Sequence, residues 1–224
     1  MIEEILPASV VAVEARHDSP GVTLFAAEEV AVQRAVEKRR REFTTGRACA
    51  HDALERLGLP PSPILSGKRG EPRWPAEVVG SITHCDGYRA CAVARRSEIA
   101  TVGIDAEVNA GLPDGVEAEI ARPEELSWLR ELKREAPAVH WDRLLFSAKE
   151  SVYKAWFPLT ELWLDFDEAY VAVDPSAGTF SARLLVSGPL LDERRLTAFS
   201  GRWLVRDGLI LTAIALPTTT SAVA

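Results

Sequence analysis

The sequence predicts an α+β fold made of two similar halves, each with a small antiparallel sheet and one long packed helix. Two turn signals indicate the sheets: Asp86-Gly87 and Asp207-Gly208 each separate two apolar segments of strand length, and Asp-Gly is a favoured hairpin turn. The third indication is residues 140–156, where apolar residues recur at helical spacing and form one stripe. A turn-rich stretch near residues 107–115 separates the first hairpin from that helix, so we expect halves at 1–107 and 108–224.

The first half shows strand and helix patterns in turn. Strands are predicted at residues 9–15, 78–84, 88–94 and 100–107, and helices at residues 27–41 and 42–57. The last three strands are expected to form one meander, and Gly58 with Pro60-Pro61 is expected to end the second helix. Proline and glycine make residues 62–75 a predicted loop.

The second half repeats this pattern. Helices are predicted at residues 123–134 and 140–156, and strands at residues 170–173, 179–186, 201–206 and 209–216. Pro158 is expected to stop the second helix, because proline lacks the backbone N–H that continues a helix. Residues 109–123 are expected to form an irregular excursion, and residues 218–224 a frayed tail.

Composition excludes several classes of protein. With 47% hydrophobic and 26% charged residues, the 224 residues are expected to fold as an ordinary globule, and no apolar run is long enough to span a membrane. The net charge of −7 argues against general nucleic-acid binding. The N-terminus lacks a basic start followed by an apolar core, so we expect a cytoplasmic location. The sequence has no CxxC and no HExxH, which argues against a zinc site.

Two short segments supply acidic and basic groups that could act together. Asp105 and Glu107 are two apart in a predicted strand and project to the same face, while Glu150 and Lys154 share a face of the predicted helix. Taken singly, these are ordinary features: two acids at a strand end, and a surface ion pair worth about 0.3–0.5 kcal/mol. Together, three carboxylates suit a hard divalent cation, and lysines beside it suit phosphate, although Lys149 is expected to lie off the face shared by Glu150 and Lys154. This combination indicates phosphoryl-type chemistry.

Basic residues elsewhere could bind an anion. The run from Lys38 to Arg41, followed by Arg47, suits either a solvated helix end or an anchor for a ligand phosphate or an acidic partner. The basic loop at residues 67–74 could hold a nucleotide or remain solvated, and His84 could hydrogen-bond an anionic oxygen or be structural. No phosphate-binding GxxxxGK[ST] loop, no GxGxxG and no GxSxG occurs.

Five segments in this order resemble the phosphopantetheinyl transferases of the long, surfactin-activating type, and within them the siderophore-associated branch of enterobactin synthase component D. The segments are residues 43–50, 67–75, 80–84, 102–107 and 146–154. The resemblance implies a pseudo-dimer of two α+β halves with coenzyme A in the cleft between them, and a monomer. The first half would bind the 3′-phosphate and nucleotide, and the second would carry the catalytic helix 141–156. Phe146 stands where many relatives have tryptophan.

The resemblance also implies a role for each segment. Asp105, Glu107 and Glu150 are expected to bind Mg²⁺, which bridges the coenzyme A diphosphate in this family. Lys154 is expected to contact that diphosphate, and Glu150 is also the expected base for the carrier serine. One member of the run from Arg39 to Arg41, assigned here as Arg40, is expected to hold the 3′-phosphate. The residues expected around coenzyme A are Arg40, Arg47, Lys68, Arg69, Pro72, Arg73, Ser81, His84, Asp105 and Lys154.

The implied reaction moves 4′-phosphopantetheine from coenzyme A to a serine of an apo acyl or peptidyl carrier protein. Two alternatives stay open: a module that binds carriers without catalysis, and a coenzyme A pyrophosphatase that uses water as the nucleophile. The intact acids and Lys154 count against the first, and the lack of a glutamate-rich pyrophosphatase helix counts against the second. Carriers are usually acidic where they are recognised, so a local basic or apolar patch is expected to dock them.

Overall fold

The computed structural model describes residues 1–18 and 21–218, and most of the expected frayed tail, residues 219–224, lies outside the described residues. The strands are β1 (Val10–Ala15), β2 (Leu65–Ser66), β3 (Pro72–Arg73), β4 (Val78–Cys85), β5 (Tyr88–Arg95), β6 (Ile99–Val108), β7 (Ala169–Asp174), β8 (Thr179–Leu184), β9 (Leu190–Leu191), β10 (Arg194–Arg195), β11 (Ala198–Arg206) and β12 (Leu209–Pro217). The α-helices are α1 (Ala26–Glu29), α2 (Glu37–Arg56), α3 (Val116–Ile120), α4 (Pro123–Glu135) and α5 (Trp141–Thr160).

Two antiparallel sheets, each covered by one long helix, confirm the α+β prediction. The first sheet has the order β1-β5-β4 and is packed by α2, and the second has the order β6-β12-β11-β8-β7 and is packed by α5. Both Asp-Gly pairs form the predicted hairpin turns, with Cys85 opposite Tyr88 and Arg206 opposite Leu209. Gly87 and Gly208 have φ angles of 73° and 75°, which glycine adopts without steric cost.

The assignment of β6 to the first meander was wrong. β6 pairs with β12 over the whole of its length and belongs to the second sheet. Hydrophobic periodicity identifies a strand but does not identify its neighbour, which is why the sequence pattern misled. β6 nevertheless lies beside β4, and side chains join the two strands: the backbone N–H of Ile104 donates to Ser81 Oγ at 3.1 Å and that of Ala106 to Thr83 Oγ1 at 3.0 Å. We call these two contacts the hydroxyl seam.

Two helix boundaries also differ from prediction. Residues 37–56 form one helix, α2, instead of ending and restarting at residue 42, and the residues before it form α1 and a short 3₁₀ turn, Val30–Val32. Nothing between Arg41 and Glu42 breaks a helix, because both residues are good helix formers. Pro158 does not stop α5, which continues to Thr160. It removes one backbone hydrogen bond in the last turn only, and Glu161 then ends the helix with a φ of 56°.

Gly103 fixes the distance between α5 and β6. A Cβ atom at this position would lie 2.1 Å from the backbone oxygen of Ser151 and 2.7 Å from the backbone nitrogen of Ala155. Only glycine therefore allows the helix backbone to rest against the strand. On either side of this contact, Trp141, Leu144, Leu145 and Val152 are buried in the core of the second half. The close approach brings the polar face of α5 beside the acids of β6.

None of the helices in the described part of the chain is both long enough and apolar enough to cross a membrane.

Candidate active site

Lys154 and Asp105 meet where α5 crosses β6. Lys154 Nζ lies 2.7 Å from Asp105 Oδ1 and donates to the backbone oxygen of Ile104 at 3.2 Å. Thr83 Oγ1 donates to the same Asp105 oxygen at 3.1 Å. The other oxygen, Asp105 Oδ2, is buried and has no hydrogen-bond partner among the described residues. A buried carboxylate oxygen without a partner is costly, so this position suits a positively charged ligand.

Glu107 and Glu150 lie within electrostatic reach of Asp105. Burial and the charge of Asp105 raise the pKa of Glu107 to about 7, although Arg143 Nη1 donates to Glu107 Oε2 at 3.0 Å and opposes that rise. Burial also raises the pKa of Glu150; Lys154 opposes this rise and Asp105 reinforces it. Burial, reinforced by the charge of Asp105, therefore makes both Glu107 and Glu150 harder to ionise.

The three acids offer the carboxylate oxygens that suit a divalent cation, although they are not arranged as a complete coordination site. Within residues 1–18 and 21–218, no three His, Cys, Asp or Glu side chains are already arranged to hold a metal ion. Lys154 and Arg143 hold Asp105 and Glu107 instead. A divalent cation would satisfy the unpartnered oxygen of Asp105 and offset the mutual repulsion, and carboxylate oxygens are the ligands that Mg²⁺ prefers.

Two residues of the predicted phosphate anchor meet at the end of β4. His84 Nε2 lies 2.7 Å from Arg39 Nη1, and burial lowers the pKa of His84. The expected residue Arg40 instead donates to the backbone oxygen of Val32 at 3.1 Å, so Arg39 is better placed than Arg40 to join His84 in binding an anion. Successive helix residues are about 100° apart, so only one member of a basic run can face β4 at this level.

Arg47 lies deeper than His84. Its guanidinium is buried 4.5 Å from the ring centre of Phe43, and Nη2 donates to Ser66 Oγ at 3.3 Å. Its Nε atom makes no hydrogen bond in the part of the chain that the structure describes. Burial lowers the pKa of Arg47, Glu28 counters this, and the charge of Arg39 lowers it further. Arg39 and Arg47 are thus close enough to repel each other, as expected of two cations that share an anion site.

The remaining predicted residues lie on the loop of β2 and β3 and in the hydroxyl seam. Lys68 and Arg73 are exposed, and Pro72 pairs with Ser66 across β2 and β3. The Arg69 guanidinium lies 5.9 Å from the ring centre of Phe157 and 5.6 Å from that of Trp163, so the loop contacts the second half. Ser81 is buried, and its hydroxyl accepts the Ile104 N–H. Contact of these residues with a nucleotide stays a prediction.

Lys149 does not serve the site. Its ammonium group is buried beside Glu125 Oε2 at 2.8 Å and donates to the backbone oxygens of Ile120 and Phe166 at 2.8 and 2.6 Å. Lys149 was expected to lie off the face shared by Glu150 and Lys154, and these contacts place it away from the acids of β6. Its partners are distant in the sequence and carry no motif, so only the folded chain shows where the side chain points.

Sequence reasoning did not assign a role to Arg143 or to the hydroxyl of Thr83. Arg143 donates to Glu107 and to the backbone oxygens of Ala110 and Gly111 at 3.1 and 3.0 Å. Its spacing of seven residues before Glu150 places both on one helix face and could have identified it. No comparable signal identified Thr83, because its partners belong to another sheet.

Comparison with known proteins agrees with this geometry. Residues 27–94 match the family described as 4′-phosphopantetheinyl transferase N-terminal domain, and residues 101–206 match the 4′-phosphopantetheinyl transferase superfamily. The chain is 58% identical to the 4′-phosphopantetheinyl transferase Svp of Streptomyces mobaraensis, over 96% of this chain and 89% of that protein. It is 46% identical to PptT of Mycobacterium tuberculosis, over 96% and 98% of the two chains. Enterobactin synthase component D of Escherichia coli K12 is 38% identical over 55% and 58%.

Proposed function

The chain belongs to the 4′-phosphopantetheinyl transferase superfamily, and from this premise we propose that it transfers 4′-phosphopantetheine from coenzyme A to a serine of an apo carrier protein. The second product is 3′,5′-ADP. The observation that carries the proposal is the contact of Lys154 with Asp105, which leaves one Asp105 oxygen without a partner beside Glu107 and Glu150. This arrangement lies where α5 crosses β6, beside the end of β4.

The reaction joins the serine oxygen to the phosphorus of the pantetheine phosphate and breaks the bond from that phosphorus to the leaving 3′,5′-ADP. Phosphoryl-type transfer depends on positioning and on neutralising the charge that grows on the leaving group. Lys154 is suited to this task, because its ammonium group is partly exposed at the site. Asp105, Glu107 and Glu150 would hold a Mg²⁺ ion, which when bound supplies further neutralising charge.

Glu150 is the proposed base for the carrier serine. Its carboxyl is half-buried on α5, and its raised pKa makes it a better proton acceptor than an ordinary glutamate. The serine proton would pass to this carboxylate as the new bond forms. Since Glu150 is also a proposed metal ligand, the two duties share one side chain.

The first half is proposed to hold the 3′-phosphate and the nucleotide. Arg39, Arg47 and His84 would bind the 3′-phosphate, with Arg39 in the place first given to Arg40. The loop at residues 68–73 would lie over the nucleotide. Because β6 belongs to the second sheet, we propose a boundary between β5 and β6, in place of the one expected at residues 107–108, and we propose a cytoplasmic monomer. Its carriers would belong to siderophore, nonribosomal peptide or polyketide synthesis, and the net charge of −7 supports the absence of a nucleic-acid partner.

Intact mass spectrometry of an apo carrier tests the proposal. With the enzyme, coenzyme A and Mg²⁺, the carrier is expected to gain one phosphopantetheine group, and 3′,5′-ADP is expected to appear in equal amount. Asp105→Asn is expected to slow this by orders of magnitude. The control is Asp86→Asn, which removes the same charge from an exposed hairpin turn.

Each competing function has its own signature in this experiment. Carrier binding without a mass gain would favour a non-catalytic module, and 3′,5′-ADP released without any carrier would favour a pyrophosphatase. An unchanged rate in Asp105→Asn would overturn the assignment of the site.

A further inference from the structure

Thr83 touches both halves of the molecule at the proposed site. It lies buried on β4, at the edge of the first sheet, while its partners lie on β6 and α5. Its hydroxyl donates to Asp105 Oδ1 at 3.1 Å and accepts the backbone N–H of Ala106 at 3.0 Å. Thr83 Oγ1 also accepts a hydrogen bond from Lys154 Nζ, at 3.4 Å.

These three contacts use the full capacity of the hydroxyl. A hydroxyl group has one proton to donate and two lone pairs to accept with, so Thr83 Oγ1 has nothing left for a substrate or a water molecule. Within residues 1–18 and 21–218, the hydroxyl of Ser81, the other member of the hydroxyl seam, makes only the bond from the Ile104 N–H. Thr83 therefore differs from Ser81 because it fixes two groups of the site as well as the adjacent strand.

We propose that Thr83 is the positioning residue for the Asp105 carboxylate. Together with Lys154 it engages Oδ1, and this fixes the carboxylate so that Oδ2, buried and without a partner, is the oxygen left for the cation. The inference rests on the proposed function, since it takes Asp105 to be a cation ligand. Thr83 acts through Asp105 and does not itself touch the reacting atoms.

Loss of the hydroxyl has two consequences. The buried N–H of Ala106 loses its acceptor, which costs stability, and the Asp105 carboxylate becomes free to turn. Only the freedom of the Asp105 carboxylate to turn is expected to change the affinity for the cation. Partners that orient a metal ligand typically account for about 10–100-fold in metal affinity.

The experiment measures Mn²⁺ binding by electron paramagnetic resonance, with saturating coenzyme A and no carrier, so the readout does not depend on turnover. Thr83→Val keeps the shape of the side chain and removes the hydroxyl, and it is expected to weaken Mn²⁺ binding by about 10–100-fold. Thr83→Ser keeps the hydroxyl and is expected to restore binding to near the wild-type value. If Thr83→Val does not fold, Thr83→Cys provides the comparison, because a thiol is only a weak hydrogen-bonding group.

Thr101→Val is the matched control. Thr101 is also buried, and its hydroxyl donates to the backbone oxygen of Ala155 at 2.8 Å, joining β6 to α5. This variant is expected to lower the melting temperature and to leave Mn²⁺ affinity unchanged. An equal loss of affinity in Thr83→Val and Thr101→Val would show a general packing effect and overturn the inference, as would wild-type affinity in Thr83→Val.

Asp105→Asn separates failure of the inference from failure of the proposed function. If this variant still binds Mn²⁺ like the wild type, the proposed cation site is wrong, and the inference falls with it. If Asp105→Asn abolishes binding while Thr83→Val does not alter it, the site stands and only the role of Thr83 is refuted.

Discussion

Helix α5 carries two lysine–carboxylate pairs that differ in how completely they are satisfied. The Lys149–Glu125 pair is closed: the side chains are 2% and 0% exposed, the lysine has two further backbone acceptors, and Glu125 also accepts the N–H groups of Arg122 and Val171. The Lys154–Asp105 pair is open: the lysine is 26% exposed, and one Asp105 oxygen has no partner within the described chain.

The difference separates an ion pair that stabilises the fold from one that keeps groups available for a ligand. In the closed pair every lysine donor has an acceptor, and its bonds join α5 to α3, α4, β7 and the backbone of Phe166. An open pair keeps an exposed ammonium group and an unsatisfied oxygen, which is the capacity that a phosphate and a cation require. Both ammonium groups have three acceptors, so the pairs are distinguished by the partial exposure of Lys154 and by the Asp105 oxygen that has no partner within the described chain.

Breaking the closed pair is expected to have the largest effect on stability. Lys149→Met leaves Glu125 as an unpaired buried carboxylate, and we expect the free energy of unfolding to fall by about 3–5 kcal/mol, measured by urea denaturation. Lys149→Met combined with Glu125→Gln should recover part of this loss, since the buried charge is removed. A loss below 1 kcal/mol in the single variant would show that the pair is not structural.

Breaking the open pair is expected to act mainly on turnover. Lys154→Met removes the proposed charge neutralisation at the leaving group, and we expect kcat for carrier modification to fall by about 10²–10³-fold. Its loss of unfolding free energy should be smaller than that of Lys149→Met, because Lys154 is partly exposed. If the two variants change stability and kcat in the same proportion, the contrast between the pairs is wrong.

Moving α5 away from β6 is expected to affect the open pair before the closed one. In Gly103→Ala the new Cβ meets the Ser151 backbone, and overpacking of this kind typically costs about 1–3 kcal/mol. The helix must shift away from β6, so kcat should fall while the Lys149 contacts, on the other side of α5, persist. The control is Gly46→Ala in α2, where the nearest side-chain atom is 3.4 Å from the new Cβ. Equal unfolding free energies in the two variants, measured by urea denaturation, would contradict this reasoning.

Local patterns predicted most elements of the fold but not their partners. The two Asp-Gly hairpins, α4 and most of α5 follow from turn chemistry and helical periodicity, which act over a few residues. The sheet to which β6 belongs depends on contacts with β12 more than a hundred residues away, and no local signal contains that information.

For the candidate site, too, sequence motifs predicted the residues but not the orientation of every side chain. Motif spacing identified Asp105, Glu107, Glu150 and Lys154; in the structure Lys154 contacts Asp105, and the charge of Asp105 contributes to the raised pKa of both glutamates. Motif spacing did not distinguish Arg39 from Arg40, because that distinction depends on how each side chain is oriented in the folded molecule. The local pattern of β4 likewise does not show that the Thr83 hydroxyl contacts Asp105, a residue of another sheet.

The hydroxyl seam joins β4 to β6 through side chains and not through backbone pairing. Where β4 and β6 run side by side in the described structure, two side-chain oxygens replace a ladder of backbone bonds, so the strands can separate slightly while each sheet keeps its own pairing. Reorienting a hydroxyl costs far less than unzipping a strand. In the described structure, opening the junction of β4 and β6 would therefore cost side-chain contacts and leave the backbone pairing of both sheets in place.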